Sequence, residues 1–99
     1  MGGSAVVLFR EKMTDERGNL REMVIWRVAP NPHQPDGVRY RLALILAGDS
    51  IPSVLYDNHH PKGHHRHIAG TEEPYEFADV VRLIADFMAD VKRLTGAEE

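Results

Sequence analysis

The hydrophobic pattern of this chain changes period once, and that change limits what it can fold into. Up to about Phe77 apolar residues alternate or come in short β-rich runs; from about Asp79 they recur at helical spacing. In Val38–Ala47, Val38, Tyr40, Leu42, Leu44 and Leu46 fall on one face of a strand and Arg39 and Arg41 on the other. At the C-terminus Val80, Val81, Ile84, Phe87, Met88, Val91 and Leu94 make the apolar stripe of one helix of about 16 residues, with Asp79, Arg82, Asp86, Asp90 and Arg93 on its polar side. Asp79 suits the N-cap and Gly96 the C-terminal stop. Such a stripe needs a sheet to bury against. The expected architecture is α+β: an antiparallel β-meander of about five strands with one C-terminal amphipathic helix packed on one face.

The remaining strands follow from turn chemistry. Ala5–Met13 and Leu20–Val28 flank the turn at Asp15–Asn19 and read as a hairpin. Ala29–Gly37 holds three prolines and reads as a stiff loop. Ile51–Asp57 makes the fourth strand, with Pro52 near its start, and His64–Ile68 a fifth; Tyr75–Phe77 is expected as a brief edge strand. At 99 residues, 42% hydrophobic and 27% charged, the chain makes one α+β domain over 1–99, with flexibility expected only at 1–4 and 97–99. There is no cysteine, which excludes disulfides and thiolate chemistry. No apolar run approaches a membrane span of about 20 residues and no targeting segment is seen, so a cytoplasmic protein without membrane contact is expected. The net charge of −3 speaks against a globally basic nucleic-acid binder but leaves room for a local basic surface.

Five of the six histidines fall between His59 and His67, together with Asp57, Asn58, Lys62 and Arg66. On an extended His64–Ile68, His65 and His67 point one way and His64 and Arg66 the other, with alternate Cβ atoms about 6.5–7 Å apart. A His-x-His pair suits acid–base work, one ring taking a proton and another giving one. It equally suits a divalent metal such as zinc, with Asp57, His65 and His67 as ligands. Asp57 is placed to orient a ring. Arg39, Arg41, Arg66 and Lys62 are candidates for phosphate or RNA binding, because guanidinium forks match phosphate oxygens. The structural alternatives are a solvated polar loop for the histidines and ordinary surface ion pairs for the arginines. His33, His59 and His60 are read as surface residues. Trp26 and Phe87 are read as core rather than as a base-stacking platform.

Tyr56-Asp57-Asn58, then Lys62-Gly63-His64-His65-Arg66-His67, Glu73-Pro74-Tyr75-Glu76-Phe77 and Leu83–Val91, together resemble the TumE family of toxins from bacterial toxin–antitoxin modules. Arg39-Tyr40-Arg41-Leu42 is similar to the basic-aromatic strand before that segment, and the likeness covers roughly residues 5–92. His59 and His60 depart from the glycine-rich loop of the family. The resemblance implies a cytoplasmic toxin paired with a helix-turn-helix antitoxin; small toxins often act on RNA, so a ribonuclease is expected by analogy.

Three functions are therefore weighed. The first is a metal-independent ribonuclease in which His65 and His67 are the acid–base pair and Asp57 orients one of them. Arg39, Arg41, Arg66 and Lys62 would hold phosphate, with Tyr56, Asn58 and His64 in support. The second is a divalent-metal hydrolase at the Asp/His cluster. The third is a non-catalytic antitoxin-binding module. A homodimer is expected in each, since one sheet face and the edge strands are left uncovered.

Overall fold

In the computed structural model, which describes residues 5–59 and 61–96, six antiparallel strands lie in sequence order in one sheet, and one helix covers one of its faces. The strands are β1 (Val6–Thr14), β2 (Leu20–Arg27), β3 (Val38–Ile45), β4 (Val54–Asp57), β5 (His65–Ile68) and β6 (Thr71–Pro74), followed by α1 (Val80–Thr95). His60 and the two chain ends lie outside the described residues.

Register decides which side chains meet the helix. Met23 pairs with Leu42 and Ile25 with Tyr40 across β2 and β3, and Leu42 pairs with Tyr56 across β3 and β4. These residues, with Leu44 and Val54, form the core against Leu83, Phe87 and Val91 of α1. Each fully buried side chain of this kind contributes about 1.5–3 kcal/mol. The opposite face carries Trp26, Arg39, Arg41, Leu55, Asp57, His65 and His67, and α1 does not cover it. Trp26 is half-buried there, so it is not the core residue that its composition suggested.

The helix is capped as its sequence implies. Asp79 accepts from the backbone N–H of Arg82, and Gly96 takes the left-handed conformation that ends the last turn. Its stripe differs from the expected one. Leu83 joins the buried line, Val81 is 79% exposed, and Asp90 lies in the interface at 3% exposure. Leu83, Phe87 and Asp90 fall at spacings of four and three, so the carboxylate occupies a core position.

The sixth strand comes from a two-residue hairpin. Ala69 and Gly70 both have positive φ, 51° and 86°, the pattern of a tight turn whose twist matches its strands. Thr71–Pro74 then pairs along β5, with Glu72 opposite His67. The edge strand is therefore Thr71–Pro74; Tyr75–Phe77, expected in that role, follows it, with the Tyr75 N–H still bonded to the His64 carbonyl at 3.2 Å before the chain runs on toward the helix. Pro74 is tolerated at the rim of the sheet, where a missing N–H does least harm.

Candidate functional site

Two rows of side chains cross the uncovered face. One runs Arg41, Asp57, His65 and Pro74 over β3 to β6; the next runs Ala43, Leu55, His67 and Glu72. His65 and His67, two apart on β5, thus share a face with Asp57, and their ring centroids lie 5.2 Å apart in an edge-on arrangement.

His65 is held at both nitrogens. Its Nδ1 lies 2.8 Å from the carbonyl oxygen of Gly63, and its Nε2 lies 2.9 Å from Oδ1 of Asp57. A carbonyl and a carboxylate both accept, so each ring nitrogen faces an acceptor. Both partners are buried, Asp57 at 8% and His65 at 6% exposure, which shields their interaction from solvent. His67 is half-buried beside it, and its ring nitrogens form no hydrogen bond among the described residues. Glu72 completes the rim. Lys62 donates to it at 2.9 Å, and that hydrogen bond holds the Glu72 carboxyl below the usual carboxylate range. His65, His67 and Glu72 each offer one ligand atom, all within 4.8 Å of one another.

The other expected site residues divide between the two faces. Arg41 continues the Asp57–His65 row and makes a loose 3.8 Å ion pair with Glu22. Arg39 lies with its guanidinium carbon 4.7 Å from the Trp26 ring centroid. His59 is exposed, 3.8 Å from Oδ2 of Asp57, and His33 sits in the 29–37 loop. Arg66, Tyr56, His64 and Asn58 turn to the helix side. Arg66 donates to Glu73 at 2.5 Å, to the Tyr56 hydroxyl at 2.9 Å and to Asp90 at 3.3 Å. The Tyr56 hydroxyl in turn donates to Asp90. Burial first, and then that bond to Asp90, push the Tyr56 hydroxyl well above its ordinary range, so it remains a donor. His64 stacks on Phe77 at 4.8 Å, accepts from Tyr40 at Nδ1 and donates to Asp36 from Nε2. His64 thus has one donor and one acceptor as neighbours, whereas both nitrogens of His65 face acceptors. Asn58 bonds the backbone N–H of Tyr40 and the carbonyl of Val38, extending the pairing of β3 past the end of β4. Every buried side-chain polar atom among the described residues has a partner.

Sequence reasoning did not anticipate Glu72 or the half-buried placement of Trp26 on the uncovered face. The first depends on β6, which has no hydrophobic signature. The second depends on which face of β2 meets the helix, and both faces of that strand carry apolar residues.

Fold and site together define a small α+β protein that displays a fixed Asp–His pair beside a second histidine on an open antiparallel sheet. The family described as toxin TumE matches residues 5–95, and the chain belongs to that family. No curated protein and no solved structure matches it. Membership makes it the toxin component of a toxin–antitoxin pair and implies an antitoxin partner. None of its described helices is long and apolar enough to cross a membrane.

Proposed function

We propose that this toxin cleaves RNA without a metal ion, using His67 as base and His65 as acid. The observation that supports this reading most is the asymmetry of the two rings. Both nitrogens of His65 rest on acceptors, the arrangement of a proton donor, while those of His67 hold no hydrogen bond among the described residues and are open to take a proton. His67 removes the 2′-hydroxyl proton, the 2′-oxygen attacks phosphorus, and the bond from phosphorus to the 5′-oxygen breaks. The 5′-oxygen takes the Nε2 proton of His65 as that nitrogen parts from Asp57 Oδ1, leaving a 2′,3′-cyclic phosphate. Arg41 and Lys62 lie on the same face to offset the charge of the transition state. Arg66, engaged on the helix side, is outside this assignment.

One observation favours a second reading. His65, His67 and Glu72 have the donor types and closeness of a divalent-metal site, and the Nδ1–H of His65 on a backbone carbonyl is the support such ligands commonly have. One experiment separates the two readings. Tag-free protein is incubated with a labelled single-stranded RNA, with and without EDTA, and the product ends are analysed. The first reading expects cyclic phosphate ends at an unchanged rate in EDTA. Activity abolished by EDTA and restored by zinc would transfer the site to the second. No cleavage in either condition overturns both.

The toxin reading also carries a helix-turn-helix antitoxin, and we propose that a second copy pairs along β1. That edge strand exposes Val6, Val7 and Leu8 in succession, each at 44–46%. Co-expression with a helix-turn-helix protein encoded beside the toxin gene is expected to yield a stable complex. Sedimentation of the toxin alone is expected to show a dimer that Val7→Lys splits. A monomer at tens of micromolar sinks the pairing, and failure to co-purify sinks the partner.

A further inference from the structure

We propose that the part of the uncovered face over β1, β2 and β3 is a binding groove for a single-stranded polynucleotide, with a base stacked on Trp26 and Arg39. This deepens the ribonuclease reading and rests on it for the direction of the strand, toward His67. The groove itself stands on separate observations.

A hollow on this face is lined by the basic Arg10, Lys12 and Arg41, the acidic Glu11 and Glu22, and Met23, Val24 and Trp26. Register explains why these side chains converge. Arg10 pairs with Val24 and Lys12 with Glu22 across β1 and β2; Val24 pairs with Arg41 and Trp26 with Arg39 across β2 and β3. Trp26, with Arg39 beside it, thus shares one face with Arg10, Arg41 and Lys12, a locally basic strip on a chain whose net charge is −3. Of the two acids among them, Glu11 is paired with Arg21 at 3.2 Å, and Glu22 makes only loose contacts, 3.7 Å to Lys12 and 3.8 Å to Arg41, with the side chains of that trio a third or more exposed. Pairs of this kind are worth little in water and yield readily to a phosphate. The Arg39 guanidinium over the indole adds a flat cationic surface, and both groups are ones on which unpaired bases stack. A duplex keeps its base faces inside, so the stacking element selects single strands. Arg41 links the groove to the site, because its cross-strand row continues to Asp57 and His65, about 10 Å away at two strand spacings.

Trp26 is the sole tryptophan, so intrinsic fluorescence reads this groove directly. The experiment titrates the full chain, with His67→Ala to prevent cleavage, with a uridine ten-mer, the matching DNA single strand and an RNA duplex. The single strands are expected to quench Trp26, and the duplex to leave it nearly unchanged. Quenching by RNA alone or by DNA alone identifies the ligand; quenching by both supports recognition through phosphate and stacking. Equal quenching by the duplex, or none by any strand, overturns the groove. In anisotropy with labelled single strands, Trp26→Ala is expected to weaken binding about 5- to 100-fold, the loss of one stacked base. Arg10→Ala and Arg41→Ala are each expected to make the salt dependence shallower by about 0.7 in the log–log slope. Trp26→Phe keeps a ring and is expected to bind within a few-fold of the parent, which separates lost stacking from lost folding. A groove that binds in a wild-type chain that does not cleave overturns the ribonuclease reading alone; cleavage without binding at Trp26 overturns the groove alone.

Discussion

His67→Ala is expected to lower RNA cleavage by about 100-fold or more while leaving the thermal midpoint within a few degrees of the parent. General acid–base groups typically contribute factors of about 100 to 10,000, and His67 is assigned the first proton transfer. Its removal is structurally mild. The ring makes no hydrogen bond among the described residues and lies on the uncovered face, so truncation leaves no buried group without a partner. His65→Ala is a poorer test, although both rings share the proposed chemistry. It takes away the partner of Asp57 and of the Gly63 carbonyl, and a buried carboxylate left without its hydrogen-bond partner costs about 2 kcal/mol or more. Loss of activity in that variant would mix chemistry with folding. The matching experiment in cells is inducible expression: arrest of growth by the parent and its absence with His67→Ala at equal protein level. Undiminished cleavage by purified His67→Ala would remove the ring from the reaction.

The legible and illegible parts of this chain differ for physical reasons. The third strand was plain because Val38, Tyr40, Leu42 and Leu44 alternate onto one buried face with Arg39 and Arg41 between them, and such alternation is what a half-covered strand imposes; only Ala43, small and also buried, breaks it. The helix was plain from its caps. The fate of β2 was not, because Val24 and Trp26 on one face are as apolar as Met23 and Ile25 on the other. Pairing of Ile25 with Tyr40 settles which face meets α1. β6 was missed because Thr71-Glu72-Glu73-Pro74 buries almost nothing; it is a strand through its turn and its ladder to β5. Within the site, Asp57, His65 and His67 share a face by local geometry alone, so their grouping was readable. Glu72 reaches the same face through a strand pair, which local spacing does not encode. Asp90 was assigned to solvent because it is charged, although its place in the Leu83–Phe87 line put it inside.

That buried carboxylate carries the largest expected effect on stability. Asp90→Ala is expected to destabilise the fold by about 3–5 kcal/mol, the usual cost of breaking a buried ion pair by removing one partner. Asp90 accepts from the Tyr56 hydroxyl, from Arg66 and from Arg93, and it joins the middle of the sheet to the helix at a point closed to water. Without it the Tyr56 hydroxyl keeps only the longer contact to the Asp86 carbonyl, 3.3 Å, and Arg66 retains Glu73 as its remaining carboxylate partner. Against a total stability of about 5–15 kcal/mol this is a large fraction, and the thermal midpoint should fall by about 12 °C or more. Asp90→Asn keeps an oxygen for Tyr56 but not the charge for Arg66, so it should fall between the variant and the parent. Arg66→Ala should track Asp90→Ala in urea unfolding. Where both remain folded, their RNA cleavage should match the parent, because the network lies across the sheet from His67. An unshifted midpoint for Asp90→Ala would mean that the carboxylate does not bind sheet to helix. A tenfold loss of cleavage in folded Arg66→Ala would bring that guanidinium back into the reaction, and the division of labour between the two faces would have to be redrawn.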